Sequence, residues 1–155
     1  MTPAIKLIQK QQLPFQIHQY RHDKSSESYG LEAASKIGAD PKQVFKTLVV
    51  SLDNTQLVVA ILPVVARLSM KQIAKVFGAK KAAMADPHEV LRSTGYVLGG
   101  VSPLAQKKRL KTALDKHALN YATIYVSAGK RGLDIELKSS DLIALLNATC
   151  ADLCC

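Results

Sequence analysis

The sequence predicts an α+β fold: a single domain over residues 1–155, built on a mixed, strongly twisted sheet with helices packed outside it. Three observations lead there. Segments of helical and strand periodicity are interleaved without a regular βαβ repeat. Two β-rich runs, Val44 to Leu52 and Gln56 to Leu62, flank Asp53-Asn54-Thr55 and form the clearest hairpin in the chain. A length of 155 residues with 48% hydrophobic content is enough to bury a real core, and neither an internal repeat nor a long linker divides it.

The elements follow in order. Thr2 caps and Pro3 opens a first helix with Ile5, Leu7 and Ile8 as its apolar positions. Phe15 to Tyr20 alternates apolar and polar residues as a half-buried strand does. Leu31 to Ile37 reads as a helix that Gly38 stops. After the hairpin, Ser69 caps a helix from Met70 to Phe77 that ends at Gly78. Asp86-Pro87-His88-Glu89 supplies the cap, the N1 proline and the N3 glutamate of another. Tyr96 to Leu98 reads as a short strand running into Gly99-Gly100. Ala122 to Ser127 and Leu133 to Leu137 are late strands, and Ser139 or Ser140 caps a final helix through Leu146. Beyond it the chain reads as a frayed terminus.

Composition restricts the function classes. No apolar run is long enough to span a bilayer, and Met1 to Lys6 lacks the apolar core of a secretory signal, so a soluble cytoplasmic protein is expected. Three cysteines, Cys150, Cys154 and Cys155, crowd the last six residues, which is no disulfide framework. The net charge is +9, from 21 Lys and Arg against 12 Asp and Glu. Such an excess favours a polyanionic partner, because each neutralised phosphate releases counterions. Lys107, Lys108, Arg109 and Lys111 form one cationic cluster; Lys80-Lys81 and Lys130-Arg131 are two more. RNA is therefore favoured over a small neutral substrate, although lysines are commonly just a solvated surface.

The candidate site residues come from three segments. In an extended Val44 to Val50, Lys46 shares a face with Leu48 and Val50, and Phe45, Thr47 and Val49 take the other. Both faces are largely apolar, so the ammonium needs a partner or a route to solvent. Gly99 and Gly100 offer backbone amides that can face a developing oxyanion, and Pro103 shapes the turn after them. Ser102 is either a substrate contact or only a turn residue. Tyr20 and Tyr29 are either pocket wall or core packing. There is no Gly-x-Ser-x-Gly elbow and no His-Glu-x-x-His, and Arg131 follows Gly129-Lys130 where a phosphate loop has Ser or Thr. His18, His22, His88 and His117 match no metal spacing. Neither a metal nor another cofactor is expected.

Phe45-Lys46-Thr47-Leu48, the segment from Ser93 through Gly99-Gly100 to Lys111, and Tyr125-Val126-Ser127-Ala128-Gly129-Lys130-Arg131-Gly132 together resemble the YbaK family of aminoacyl-tRNA deacylases. These are relatives of the editing domain inserted in bacterial prolyl-tRNA synthetases. The resemblance runs from Thr2-Pro3-Ala4 to Ser140-Asp141-Leu142. Ala105 and Ala128 stand where glycine is usual, and Tyr29 where phenylalanine is frequent; Ala128 is strained if its position demands a positive φ.

The resemblance implies an α+β domain and a hydrolase that clears mischarged tRNA, foremost Cys-tRNA(Pro). Lys46 would position the tRNA 3′ end, and Ser127 would be a further contact. The substrate's own thiol would attack its ester, which fits the missing enzyme nucleophile. The implied partners are tRNA and, alongside it, prolyl-tRNA synthetase; no membrane or DNA is implied. Lys107, Lys108, Arg109 and Lys111 are the expected tRNA contacts. Two alternatives stand: a deacylase for alanine or serine esters that activates water, and a tRNA-binding module without catalysis.

Overall fold

Two sheets carry the fold, and the computed structural model describes them over residues 1–26 and 28–155. The first is antiparallel, in the order β1 (Phe15–Gln19), β7 (Leu133–Lys138), β6 (Thr123–Lys130). The second is mixed, in the order β4 (Ala82–Met84), β2 (Phe45–Leu52), β3 (Gln56–Pro63), β5 (Lys111–Asp115), β8 (Thr149–Ala151), with β3/β5 and β5/β8 parallel. They meet at a single parallel bridge, Val44 to Tyr125. The helices are α1 (Pro3–Lys10), α2 (Tyr29–Ile37), α3 (Met70–Val76), α4 (Pro87–Thr94) and α5 (Ser139–Leu146). The class is α+β, as expected, with the sheet drawn as two sheets joined at that bridge.

Local chemistry places the helices. The Thr2 hydroxyl accepts from the Ile5 amide and donates to the Ala128 carbonyl, so one residue both caps α1 and ties it to β6. Ser69 accepts from Gln72 N–H at 3.1 Å and Asp86 from His88 N–H at 2.8 Å, capping α3 and α4. Alternation then sorts the strands. Ile124, Val126, Leu133, Ile135 and Leu137 turn one face of the first sheet into the main core against Leu114 and Ile8. Val50, Leu52 and Val58 pack with Ile73 and Leu153 on the α3 side of the second sheet, and Val49 packs with Val90 and Tyr96 on the other. Each such residue buried in full contributes about 1.5–3 kcal/mol.

Two expectations are corrected, and the condition set on Ala128 is resolved. Tyr96 to Leu98 is a loop, because Tyr96 is drawn into the core and its hydroxyl donates to the Leu104 carbonyl at 2.7 Å. The last residues are not frayed: β8 pairs with β5, Leu153 is fully buried with its amide on Asp115 Oδ1 at 2.9 Å, and Cys155 N–H reaches the Arg67 carbonyl at 3.0 Å. Ala128 is unstrained inside β6, and Gly129 takes the positive φ of 107° instead. The other departure from glycine carries the strain, since Ala105 has φ 58°.

Candidate active site

A cleft of about 310 Å³ opens where β4 stops pairing with β2. Beta4 covers only Val50–Leu52, so the preceding half of β2, Phe45 to Val49, becomes cleft wall. The N-terminal turn of α2 brings Tyr29 and Gly30, the loop after α4 brings Leu98 and Gly99, and the β6–β7 hairpin brings Ser127, Lys130, Arg131 and Asp134. Tyr20 joins from the end of β1, its amide on the Gly132 carbonyl at 2.9 Å. Tyr20, Tyr29, Lys46, Gly99 and Ser127 thus gather round one space.

Asp134 is the residue that sequence reasoning passed over. Leu133, Ile135 and Leu137 occupy the core face of β7, so Asp134 and Glu136 take the opposite face, and Asp134 lies directly across from Ser127. That alternation was legible in Leu133-Asp134-Ile135-Glu136-Leu137. Its depth was not: Asp134 is only 6% exposed, and burial pushes its carboxyl up to about 7. Burial also raises the Tyr20 phenol, against the Gly132 backbone bond and with the Asp134 and Glu32 charges adding to the rise. The Ser127 hydroxyl accepts from Gly129 N–H at 3.1 Å and keeps its own proton to donate. Thr47 Oγ1, also in the wall, is buried with no hydrogen-bond partner among the described residues, which leaves it able to bond a polar group of a substrate.

Lys46 reaches out of the strand to donate its Nζ to the Ala66 carbonyl at 2.7 Å. Burial holds this ammonium below the ordinary lysine range; Arg67 adds to the depression and the Cys154 thiol opposes it. Across the cleft, the Arg131 guanidinium stacks 3.9 Å over the Tyr29 ring and donates to the Leu98 carbonyl at 3.0 Å. Sequence reasoning noted Arg131 in a basic pair and in the segment from Tyr125 to Gly132 but gave it no place in the site. Its position explains Gly99, where φ is 85° and a Cβ would stand 2.5 Å from Arg131 Nε.

Other expected site residues lie elsewhere or are already engaged. The Gly100 amide donates to the Val97 carbonyl at 3.0 Å and its Cα backs onto Lys130, so it has no amide to offer an oxyanion. Gly99, lining the cleft, has no backbone partner for its amide among the described residues. Ser102 is fully buried with its Oγ accepting from Leu104 N–H at 3.2 Å, and Pro103 is buried beside it: both shape the turn and neither lines the cleft. Lys107 and Lys108 donate their amides to the Thr94 and Ser93 carbonyls, which lays the run through Arg109 to Lys111 past the C-terminal end of α4. Lys111 opens β5.

The terminal cysteines lie away from the cleft. None lines the cleft, and burial together with Asp115 and Asp152 pushes the Cys154 thiol up to about 12. Spacing gave no sign that Asp115, His117 and Cys154 come together, with ligand atoms within 4.8 Å of one another. The Asp115 carboxylate there already accepts from Leu153 N–H, His117 N–H and His117 Nδ1, which stitches the C-terminal segment to the turn after β5. No helix among the described residues is long and apolar enough to cross a membrane.

The cleft on this α+β frame thus holds a carboxyl raised by burial, an arginine stacked on Tyr29 and no cysteine among its lining residues. The model of the aminoacyl-tRNA editing domain matches residues 27–145, and the chain belongs to that family. It is 35% identical over 153 residues to EbsC of Enterococcus faecalis (strain ATCC 700802 / V583), named as a candidate Cys-tRNA(Pro)/Cys-tRNA(Cys) deacylase, across 98% of this chain and 92% of that one. It is 30% identical over 111 residues to the uncharacterized protein YwhH of Bacillus subtilis (strain 168), across 72% of this chain and 70% of that one. Among solved structures, one described as a candidate trans-editing enzyme for prolyl-tRNA synthetase superposes with a TM-score of 0.83 at 24% identity, covering 97% of this chain and 92% of that one, and shares the fold.

Proposed function

We propose that this protein is a trans-editing deacylase that removes cysteine from Cys-tRNA(Pro), with the substrate's own thiol as nucleophile. The observation that carries the reading is a cleft holding a carboxyl near neutrality, Asp134, and no cysteine. At pH 7 about half of such a group is ionised and ready to take a proton. The thiol loses its proton to Asp134 and its sulfur bonds to the ester carbonyl carbon. The bond from that carbon to the tRNA 3′-oxygen breaks, and the proton passes from Asp134 to the departing oxygen. Water then opens the cyclic thioester to free cysteine.

The remaining residues hold the geometry. The Gly99 amide faces the carbonyl oxygen as charge develops on it. Thr47 and Ser127 hydrogen-bond the aminoacyl group, and Tyr29 under Arg131 supplies a stacking surface for the terminal base. Lys46 exchanges the Ala66 carbonyl for the 3′ end of the tRNA. Prolyl-tRNA synthetase is the natural source of the substrate and a partner alongside it, since an apolar pocket separates side chains of similar volume only weakly and leaves cysteine to a second sieve.

A second reading has one observation in its favour: Asp134 at the same pKa serves equally to deprotonate water, as an alanine or serine ester would require. Esters on tRNA(Pro) of cysteine, S-methylcysteine, serine and alanine separate the two. The thiol reading expects loss of the cysteine ester alone, while equal hydrolysis of the S-methylcysteine ester transfers the chemistry to water.

A further inference from the structure

We propose that a lysine-lined groove beside the cleft holds the phosphate backbone of the RNA strand whose end enters the cleft; this rests on the reading of the cleft as a tRNA 3′-end site. The groove, about 710 Å³, lies between α3, the turn at Gly78 and β4. Its floor is apolar, from Met70, Ala74 and Ala82, and its rim carries Lys71, Lys75, Lys80 and Lys81. All four lysines are exposed, and none is in a salt bridge among the described residues. Asp53 at its edge has its carboxylate turned to the backbone amides of Lys80 and Lys81, where it fixes the turn.

Two features distinguish this groove from an ordinary solvated face. Lys71 sits in the first turn of α3, a turn with no acidic residue, where the helix dipole disfavours a cation and gives it no structural use. The run from Lys107 instead passes the C-terminal carbonyls of α4, where the dipole welcomes positive charge. The second feature is continuity with the cleft. Ala82 lines the groove and Met84 lines the cleft. They are two apart on one strand, so they share a face and their Cα atoms stand about 7 Å apart. An extended nucleotide backbone spans that gap, with its phosphates running along β4 onto the lysines.

The test uses tRNA carrying a non-hydrolysable amide-linked cysteine, with affinity measured across a salt series for the unsubstituted protein, Lys71→Gln/Lys75→Gln, Lys80→Gln/Lys81→Gln and Lys107→Gln/Lys108→Gln. Each groove pair is expected to lower the slope of log affinity against log salt by about 1.4–1.8, that is about 0.7–0.9 for each phosphate no longer neutralised. KM for full-length Cys-tRNA should also rise several-fold more than KM for a short cysteinyl-oligonucleotide that ends at the cleft. An unchanged slope in both groove variants, with unaltered melting curves, overturns the proposal, and a drop confined to Lys107→Gln/Lys108→Gln moves the RNA to the end of α4. Binding that depends on the groove in a protein that cleaves no aminoacyl-tRNA would leave the groove standing and refute the deacylase reading instead.

Discussion

Replacing Asp134 with asparagine should stabilise the protein at alkaline pH while removing its activity. The carboxyl is pushed by burial to about 7 from a usual value of 3.8, roughly 3 units at about 1.4 kcal/mol each, so its ionisation costs the folded state on the order of 4 kcal/mol. The sign follows from the raised folded-state value. Stability is intact below the unfolded pKa, declines as pH rises from near 4, and levels off once pH passes 7. The amide in the variant never ionises. Urea denaturation from pH 4 to 8.5 should show the Asp134→Asn protein and its parent nearly equal at pH 4 and diverging toward pH 8, the variant being the more stable by up to about 4 kcal/mol. Deacylation by the parent should rise through about pH 7 as the carboxylate forms, and the variant should lose that rise together with most of its rate. Parallel stability curves for the two proteins would refute the burial argument. Retained activity in the variant would remove Asp134 from the proton path.

Lys46→Ala should fold, since among the described residues its ammonium bonds only the Ala66 carbonyl, and should lose on the order of 10²-fold in deacylation rate as 3′-end positioning is lost; near-parental turnover in a folded protein contradicts that role. Ala105→Gly relieves a φ of 58° and should stabilise by about 1 kcal/mol after the extra chain entropy of glycine is set against the relief. That appears as a Tm increase of about 2–4 °C in a chain of this size, and a lower Tm would show that the turn prefers alanine.

What was legible in the sequence is what local chemistry decides. The Thr2, Ser69 and Asp86 caps and the Asp53-Asn54-Thr55 hairpin stand as read, because each depends on a few adjacent residues. Beta4 and β8 are three residues each, too short for periodicity to register, and β5 was hidden because its first residue, Lys111, closes a cationic run. The site divides in the same way. Lys46, Gly99 and Ser127 are signalled by their own segments, and the fold gathers them in one cleft. Asp134 is buried in a cleft it shares with Tyr20 and the start of α2, segments distant from it in the chain. Ser102 turns inward because Leu104, two residues on, takes its hydroxyl. The first of these is not a local property; the second is, and the turn role of Ser102 was one of the two readings its own segment offered.

The pairing of β1 with β7 alone has a consequence for how the chain is made. Gln19 waits for Leu133, and Thr2 for Ala128. At translation rates of about 5–20 residues per second, the 114 positions from Gln19 to Leu133 take roughly 6 to 23 s to appear. For that time Phe15–Gln19 is a finished strand with no neighbour, and α1 has no surface to rest on. The second sheet waits longer still, because β8 is its outer strand and Leu153 belongs to its core. Folding therefore has to await the late strands β7 and β8, and pairings this distant in sequence make it slow. During that interval the nascent N-terminal strand is the segment most exposed to wrong pairing, and a chaperone that shields it early would raise the yield of active protein.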